Sequence, residues 1–241
     1  MELLKNTLAS IKPADEDAKK KAKERLDNLT KPIGSLGVLE EIVIKMAGIT
    51  GNIHNKIDKR NIIVMCADNG VVEEGVSACP QYFTKILTEN LIKGYTGVSV
   101  LSKLTGTDVT TVDIGVNGDI TLKGVLNKKI NYGTKNITKG PAMTRDEAIR
   151  AIEAGIEVAD SSCKKGYDIL GTGEMGIGNT TTSGAVLSIF SGLNPDATCG
   201  KGAGLTDEQF EHKKEAVEKA IEINKPDKND PIDVISKVGG F

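Results

Sequence analysis

The stretch Asn61-Ile-Ile-Val-Met-Cys-Ala-Asp-Asn-Gly70 decides the fold class of this 241-residue chain. Its unbroken apolar run, Ile62 to Ala67, predicts a short strand that is buried on both faces, as strands of parallel sheets covered by helices are. The polar residues Asp68 and Asn69 follow at the carboxyl end of this strand, where open α/β sheets bind their ligands. A simple Asn-Gly turn without any chemical role would explain Asn69 and Gly70 equally well.

Helical and strand patterns alternate after this strand, which is typical of an α/β fold. The patterns predict a helix from Pro80 to Gly94, a short helix over 96–104, a strand from Val109 to Ile114 and a last helix from Asp230 to Gly239. Two further helix starts are indicated by capping boxes, in which Thr144 is followed by Glu147 and Thr206 by Gln209.

The first part of the chain has a different, helical character. Acidic residues at positions 15–17 precede a run of lysines, an order that suits the dipole of a helix. After a Pro/Gly break over 30–37, apolar residues recur at helical spacing at Leu36, Leu39, Val43 and Met46. We therefore predict a helical region over residues 1–58 and an α/β domain over residues 59–241.

The charge balance and the aromatic content exclude several classes of binding protein. The chain has 31 Lys and Arg against 33 Asp and Glu, a formal charge of −2, whereas nucleic-acid binding requires a basic surplus or stripe. Aromatic residues make up only 3% and Trp is absent, so stacking of single-stranded bases lacks its main side chains. We therefore expect no nucleic acid as the partner. We also expect no membrane partner, because no stretch reaches the roughly 18 apolar residues of a spanning helix.

The cysteines argue against a structural zinc site and for a reducing compartment. Cys66, Cys79, Cys163 and Cys199 form no CxxC pair, and the chain has only two histidines. The N-terminus has no basic region followed by an apolar stretch, as a secretory signal would. These features predict a cytoplasmic protein without a metal site.

A glycine-rich segment, Gly171-Thr-Gly-Glu-Met-Gly-Ile-Gly-Asn-Thr-Thr-Thr182, carries the strongest local signal for chemistry. We predict a strand over 167–171, a turn with four glycines and a helix over 180–190. Glycines let backbone N–H groups approach an anion, and the helix N-terminus adds partial positive charge, so a phosphate is the expected guest. A tight connection that only lets the helix pack on the sheet is about equally plausible.

The same segment also raises a dehydrogenase as an alternative, because Gly171-x-Gly173-x-x-Gly176 matches the dinucleotide fingerprint. The fingerprint requires an acidic residue at the end of the next strand, and Asp196 follows a turn instead. Glu174 would repel a phosphate, so we expect it to face a sugar hydroxyl or a developing cation.

Two other residues have both a structural and a functional interpretation. Ser77 could bind a ligand, but capping of the following helix is the simpler expectation. Lys213 shares a helical stripe with Phe210 and Val217, and such a lysine usually extends its ammonium group to water past an apolar stem. Local sequence alone therefore assigns neither residue to a site.

Four separated motifs together resemble the nicotinate-nucleotide–dimethylbenzimidazole phosphoribosyltransferase family, and the resemblance covers the whole chain. The motifs are Leu29-Thr-Lys-Pro-Ile-Gly-Ser-Leu-Gly37, Ala67-Asp-Asn-Gly-Val-Val-Glu-Glu-Gly-Val-Ser77, Gly173-Glu-Met-Gly-Ile-Gly-Asn-Thr-Thr181 and Lys201-Gly-Ala-Gly-Leu205. The resemblance implies a homodimer with a Rossmann-like α/β domain and a smaller helical part. It also implies transfer of the phosphoribosyl group from nicotinate mononucleotide to 5,6-dimethylbenzimidazole or a related base in cobamide biosynthesis, without a metal or organic cofactor.

The resemblance further implies roles for individual residues. Glu174 would lie near the ribose as an auxiliary catalytic group. The acceptor base would contact Ser77, Gln81 and Met175. The nucleotide phosphate would be held by Gly176, Gly178, Asn179, Thr180, Gly202 and Lys213.

Two departures from the family pattern bear on activity. The family's general base is a glutamate in a Gly-Glu-Gly segment, which in this family lies beyond the position of Phe241, so we expect the α/β domain to be incomplete at its C-terminus. Asn69 stands where the family usually has histidine. Besides the transferase, a non-catalytic module that binds a nucleotide phosphate and an NAD-dependent dehydrogenase therefore remain as alternatives.

Overall fold

The computed structural model describes all 241 residues, which form two compact units, Glu2–Asp58 and a larger unit of Met1 with Lys59–Phe241. The smaller unit contains three helices: α1 (Glu2–Ser10), α2 (Glu16–Asp27) and α3 (Val38–Thr50). Asp15 begins α2, since its carboxylate accepts a hydrogen bond from the Ala18 N–H at 2.9 Å. Small residues of α2, Ala18 and Ala22, pack against Ala47 of α3 and form a small core.

The apolar stripe that predicts α3 does not form the core of this unit. Leu39 is 61% exposed and Val43 is 37% exposed, whereas Glu40 is buried. Glu40 is buried because it forms an ion pair with Lys31 at 2.8 Å and accepts a hydrogen bond from the Leu36 N–H at 3.1 Å. This pair ties the Pro/Gly loop before α3 to the first turn of the helix.

The larger unit is an α/β structure with seven helices and a four-stranded sheet. Its strands are β1 (Arg60–Ala67), β2 (Asp108–Gly115), β3 (Leu126–Asn127) and β4 (Ile169–Met175). Its helices are α4 (Phe83–Lys93), α5 (Gly97–Thr105), α6 (Arg145–Lys164), α7 (Asn179–Ser191), α8 (Pro195–Thr198), α9 (Asp207–Asn224) and α10 (Pro231–Val238). A short 3₁₀ helix, Gly70–Glu74, follows β1. None of the helices is long and apolar enough to pass through a bilayer.

The sheet is parallel throughout, with the strand order β3-β2-β1-β4. The central strand β1 is buried on both faces, because its successive side chains point alternately to the two sides of the sheet. Val64 and Cys66 pack with Leu91 of α4 on one face, and Ile63 packs with Val158 of α6 on the other. The predicted class, a parallel sheet flanked by helices, is confirmed.

Two of the predicted element boundaries are wrong. Helix α4 begins at Phe83 rather than Pro80, because residues 80–82 form a turn in which the Pro80 carbonyl accepts the Phe83 N–H at 3.1 Å. Strand β4 does not end at Gly171 but continues to Met175, so Gly171 and Gly173 are strand residues. Their missing side chains leave room for β1, since a Cβ at Gly173 would lie 3.2 Å from Val64 Cγ2. The dinucleotide fingerprint therefore does not form the expected turn.

Candidate active site

The order in which the chain adds strands reverses at β1, and a crevice lies at this point at one end of the sheet. The chain passes from β1 to β2 on one side and returns later to β4 on the other side of β1. Open α/β sheets bind ligands at such a reversal, outside the carboxyl ends of the strands. Cys66 near the end of β1 is in register with Met175, the last residue of β4, so both strands deliver their following residues to the same place.

Two cavities open at this end of the sheet. One, of about 440 Å³, lies between the ends of β1 and β4 and the helices α7 and α10, and Glu174 is its charged lining residue. The other, of about 310 Å³, lies beside the loop that connects β4 to α7. Asn179, the first residue of α7, lines both cavities. The residues that line the second cavity include Ser77, Cys79, Leu87, Met175, Gly176, Gly178, Thr180 and Gly202.

The connection from β4 to α7 is a short loop, Gly176-Ile177-Gly178, and both glycines are required by its geometry. A Cβ at Gly176 would collide with the Ala67 carbonyl oxygen of β1. Gly178 has φ +88° and begins α7 without a side-chain cap, and a Cβ there would lie 2.7 Å from Val72 Cγ2. The N-terminus of α7 therefore lies beside the second cavity and adds partial positive charge there, while the Asn179 and Thr181 N–H groups donate to the Gly176 and Gly178 carbonyls at 3.1 and 3.0 Å.

Lys213 of α9 is brought to this loop. The expectation that its ammonium group reaches water is wrong, because the residue is 0% exposed. Its Nζ donates to Thr180 Oγ1 at 2.7 Å and to the Gly200 carbonyl at 2.9 Å, and no carboxylate is paired with it. A Cβ at Gly202, which has φ +60°, would lie 3.2 Å from Thr180 Oγ1 and 3.6 Å from this nitrogen, so a side chain at this position would crowd the contact between Lys213 and Thr180.

The absence of a carboxylate partner has an electrostatic consequence. Burial lowers the pKa of the Lys213 ammonium group below its ordinary value. A buried cation is normally paired because its desolvation is costly. An anion bound at the loop would supply the missing negative charge.

Glu174 is the second ionisable group of the crevice. The residue is exposed as a whole, and it lines the 440 Å³ cavity, whose walls partly desolvate the carboxyl. Burial raises the pKa of this carboxyl to about 7, and the hydrogen bond that Asn179 Nδ2 donates to Glu174 Oε2 opposes the rise. The group is therefore partly protonated near neutral pH.

Only two of the three residues implied for the acceptor base line the same cavity. Ser77 and Met175 line the second cavity, together with the apolar side chains of Val76, Leu87 and Ile177. Gln81 lies in the turn before α4 and is not among the residues that line this cavity. The expectation that Ser77 caps the following helix is wrong, because its Oγ accepts the Cys79 N–H at 3.2 Å, well before α4 begins.

Asn69 and Thr84 were not assigned to the site from the sequence, although both contact the loop. Asn69 Nδ2 donates to the Ile177 carbonyl, and Thr84 Oγ1 accepts the Ile177 N–H. The position of Asn69 at a strand end was a signal for the first of these. No sequence pattern indicated Thr84, because it lies in an ordinary helix.

Comparison with known proteins assigns the chain to a family. A sequence model described as phosphoribosyltransferase matches residues 11–241. The chain is 58% identical to the nicotinate-nucleotide–dimethylbenzimidazole phosphoribosyltransferase of Clostridium tetani, over 100% of this chain and 67% of that protein. The chain belongs to this phosphoribosyltransferase family. The family's homologue in Clostridium acetobutylicum is 50% identical over 99% of this chain and 68% of its own length.

Solved structures agree with this assignment. The crystal structure of CobT from Thermus thermophilus has a TM-score of 0.88 and 36% identity, covering 93% of this chain and 67% of that one. The chain thus spans about two thirds of the length of the family members that it matches. The family that the sequence resemblance indicates is thus confirmed.

Proposed function

We propose that this chain carries the nucleotide-binding part of a transferase that moves the phosphoribosyl group of nicotinate mononucleotide to 5,6-dimethylbenzimidazole or a related base. The observation that carries the proposal is the buried ammonium group of Lys213, which has two hydrogen bonds and no carboxylate partner beside a loop at a helix N-terminus. A monoester phosphate supplies the missing charge and accepts from backbone N–H groups at the same time.

The phosphate site of this proposal combines residues from two segments. Charge-assisted hydrogen bonding from Lys213 gives most of its strength, because such bonds are stronger than bonds between neutral groups. The Thr180 hydroxyl accepts a hydrogen bond from Lys213 Nζ at 2.7 Å, and this bond fixes the position of the ammonium group. The remaining members of the proposed site, which contribute backbone groups or open space, are Gly176, Gly178, Asn179 and Gly202.

Glu174 has an auxiliary role in the proposed reaction. The bond between C1′ of the ribose and the pyridinium nitrogen breaks, and its electron pair neutralises the ring as nicotinate leaves. The sugar carbon becomes cationic in the transition state, and an ionised carboxylate in the crevice stabilises it. A pKa of about 7 leaves Glu174 largely ionised above neutral pH.

The incoming base completes the transfer by attack of its ring nitrogen on C1′, after which it must lose a ring proton. In this proposal the base lies in the second cavity, whose apolar walls suit a flat bicyclic ring. Ser77, Met175 and Gln81 are its proposed contacts. The proton is accepted by the glutamate that the family carries in its Gly-Glu-Gly segment, so Glu174 is not the general base.

We propose a homodimer in the cytoplasm, in which the 1–58 region is the smaller helical domain and 59–241 belongs to a Rossmann-like domain. Exposed apolar residues on α3, such as Val38 at 66% and Leu39 at 61%, support contact with another surface. The four free cysteines support a reducing compartment.

The product of the complete gene tests this function directly. Incubation with nicotinate mononucleotide and 5,6-dimethylbenzimidazole should release nicotinate and form α-ribazole 5′-phosphate in equal amounts. Nicotinate release that fails with every benzimidazole, purine and phenolic acceptor would overturn the proposal. Saturable binding of the nucleotide without turnover would support the alternative, a non-catalytic phosphate-binding protein.

A further inference from the structure

The loop Gly176-Ile177-Gly178 is held by two buried side chains that take no part in the proposed reaction. Thr84 Oγ1 accepts a hydrogen bond from the Ile177 N–H at 3.0 Å, and Asn69 Nδ2 donates to the Ile177 carbonyl at 3.3 Å. Thr84 is 0% exposed and Asn69 is 3% exposed. Both backbone polar groups of Ile177 are thus bound by side chains from elsewhere in the fold.

The two side chains come from rigid elements. Asn69 follows β1 directly, and its Oδ1 lies 3.4 Å from the Thr182 hydroxyl of α7, whose proton has a closer acceptor in the Asn179 carbonyl at 2.9 Å. Thr84 lies in the first turn of α4. Hydrogen bonds therefore link the end of β1 and the start of α4 to the loop.

Thr84 holds the Ile177 N–H through its hydroxyl oxygen, which has two lone pairs and accepts this bond at 3.0 Å. A side chain of the same shape without a hydroxyl would leave this N–H without a partner.

The two hydrogen bonds to Ile177 restrict a loop that would otherwise be flexible, because it is flanked by glycines, which restrict the backbone least of all residues. A mobile loop would lose conformational entropy when it closes around a phosphate, and an ordered loop avoids that loss. We infer that Thr84 and Asn69 are positioning residues that hold the Gly176–Gly178 loop in its phosphate-binding conformation. This inference rests on the proposed function for the identity of the ligand.

The first part of the test measures the loop without any ligand. Thr84→Val keeps the shape of the side chain and removes the acceptor, whereas Thr84→Ser keeps the hydroxyl. Thr88→Val is the matched control, since Thr88 is equally buried one turn later in α4 and its hydroxyl donates to the Thr84 carbonyl at 2.7 Å. Amide exchange at Ile177 should become at least about tenfold faster in Thr84→Val and change less than about twofold in the other two.

The second part measures binding of nicotinate mononucleotide by calorimetry in the same variants and in Asn69→Ala. The dissociation constant should rise about five- to tenfold in Thr84→Val and in Asn69→Ala, with Thr84→Ser and Thr88→Val close to the wild type. Equal exchange and equal binding in Thr84→Val and Thr88→Val would overturn the inference. Failure of the wild type to bind the nucleotide would overturn the proposed function and the ligand assigned to the loop, while exchange at Ile177 would still show whether Thr84 holds it.

Discussion

Lys129 and Lys213 both place an ammonium group in the interior of the α/β unit, but their partners differ. The Lys129 side chain, 13% exposed, forms an ion pair with Asp113 at 3.0 Å. It also donates to the carbonyls of Val116 and Gly118, which closes the segment after β2 over the end of the sheet. Every charge in this arrangement is balanced within the chain.

Lys213 lacks such a balance. Its two hydrogen bonds go to a hydroxyl and to a carbonyl, both neutral acceptors. Glu174, on the other side of Asn179, is likewise without a cationic partner, and its pKa is raised where that of Lys213 is lowered. Burial alone therefore does not mark a functional lysine. What marks it is burial together with a missing counter-charge at a place where a ligand fits.

The largest effect that follows from this comparison is on stability at Lys129. Replacement of Lys129 by Met would leave the Asp113 carboxylate, 4% exposed, without its cation. Loss of one member of a buried ion pair costs about 3–5 kcal/mol, and we expect that decrease in the free energy of unfolding. Urea denaturation measures it, and the double variant Lys129→Met/Asp113→Asn should recover part of the loss. A decrease below about 1 kcal/mol would show that the pair is not the structural contact described here.

Lys213→Met should have a much smaller effect on the ligand-free protein. The replacement leaves no carboxylate unpaired and removes a desolvated cation, so the free energy of unfolding should stay within about 1 kcal/mol of the wild type or rise. The same denaturation experiment measures it. A loss as large as that of Lys129→Met would contradict the distinction between the two lysines.

The third and smallest effect concerns Glu174 and pH. The unfolded carboxyl titrates near 4.5 and the folded one near 7, so the folded state holds the proton more strongly. The contribution of this group to stability is therefore fully present below the unfolded pKa and is lost as the pH rises through about 7. Glu174→Gln should lack this decline, although solvent exposure of the side chain keeps the effect small. Parallel stability profiles of the wild type and the Gln variant over this pH range would contradict it.

Local sequence signals predicted the elements whose causes are local. The capping boxes at Thr144 and Thr206 form as expected, with reciprocal hydrogen bonds to Glu147 and Gln209. The apolar run of β1 is a buried parallel strand, as its composition indicates. These features depend on residues within a few positions of each other, so the sequence contains all the information needed.

The features that were missed depend on contacts between distant segments. Gly171 and Gly173 look like turn residues, yet pairing with β1 makes them part of a strand. The direction of the Lys213 side chain depends on Thr180 and Gly200, which no helical stripe reveals. The residue roles came from the family resemblance, and local reasoning alone would have left Lys213 on the surface.

Calorimetric titration of the protein with nicotinate mononucleotide tests whether the Lys213 ammonium group binds the phosphate. Lys214→Met serves as the control for Lys213→Met, because Lys214 is the next residue of α9 and is paired with Asp196 at 2.6 Å and Glu211 at 2.7 Å. We predict saturable binding in the wild type, a dissociation constant within about threefold of it in Lys214→Met, and binding at least about 30-fold weaker in Lys213→Met. Equal affinity of Lys213→Met and the wild type would contradict the claim that the unpaired ammonium group is the phosphate site.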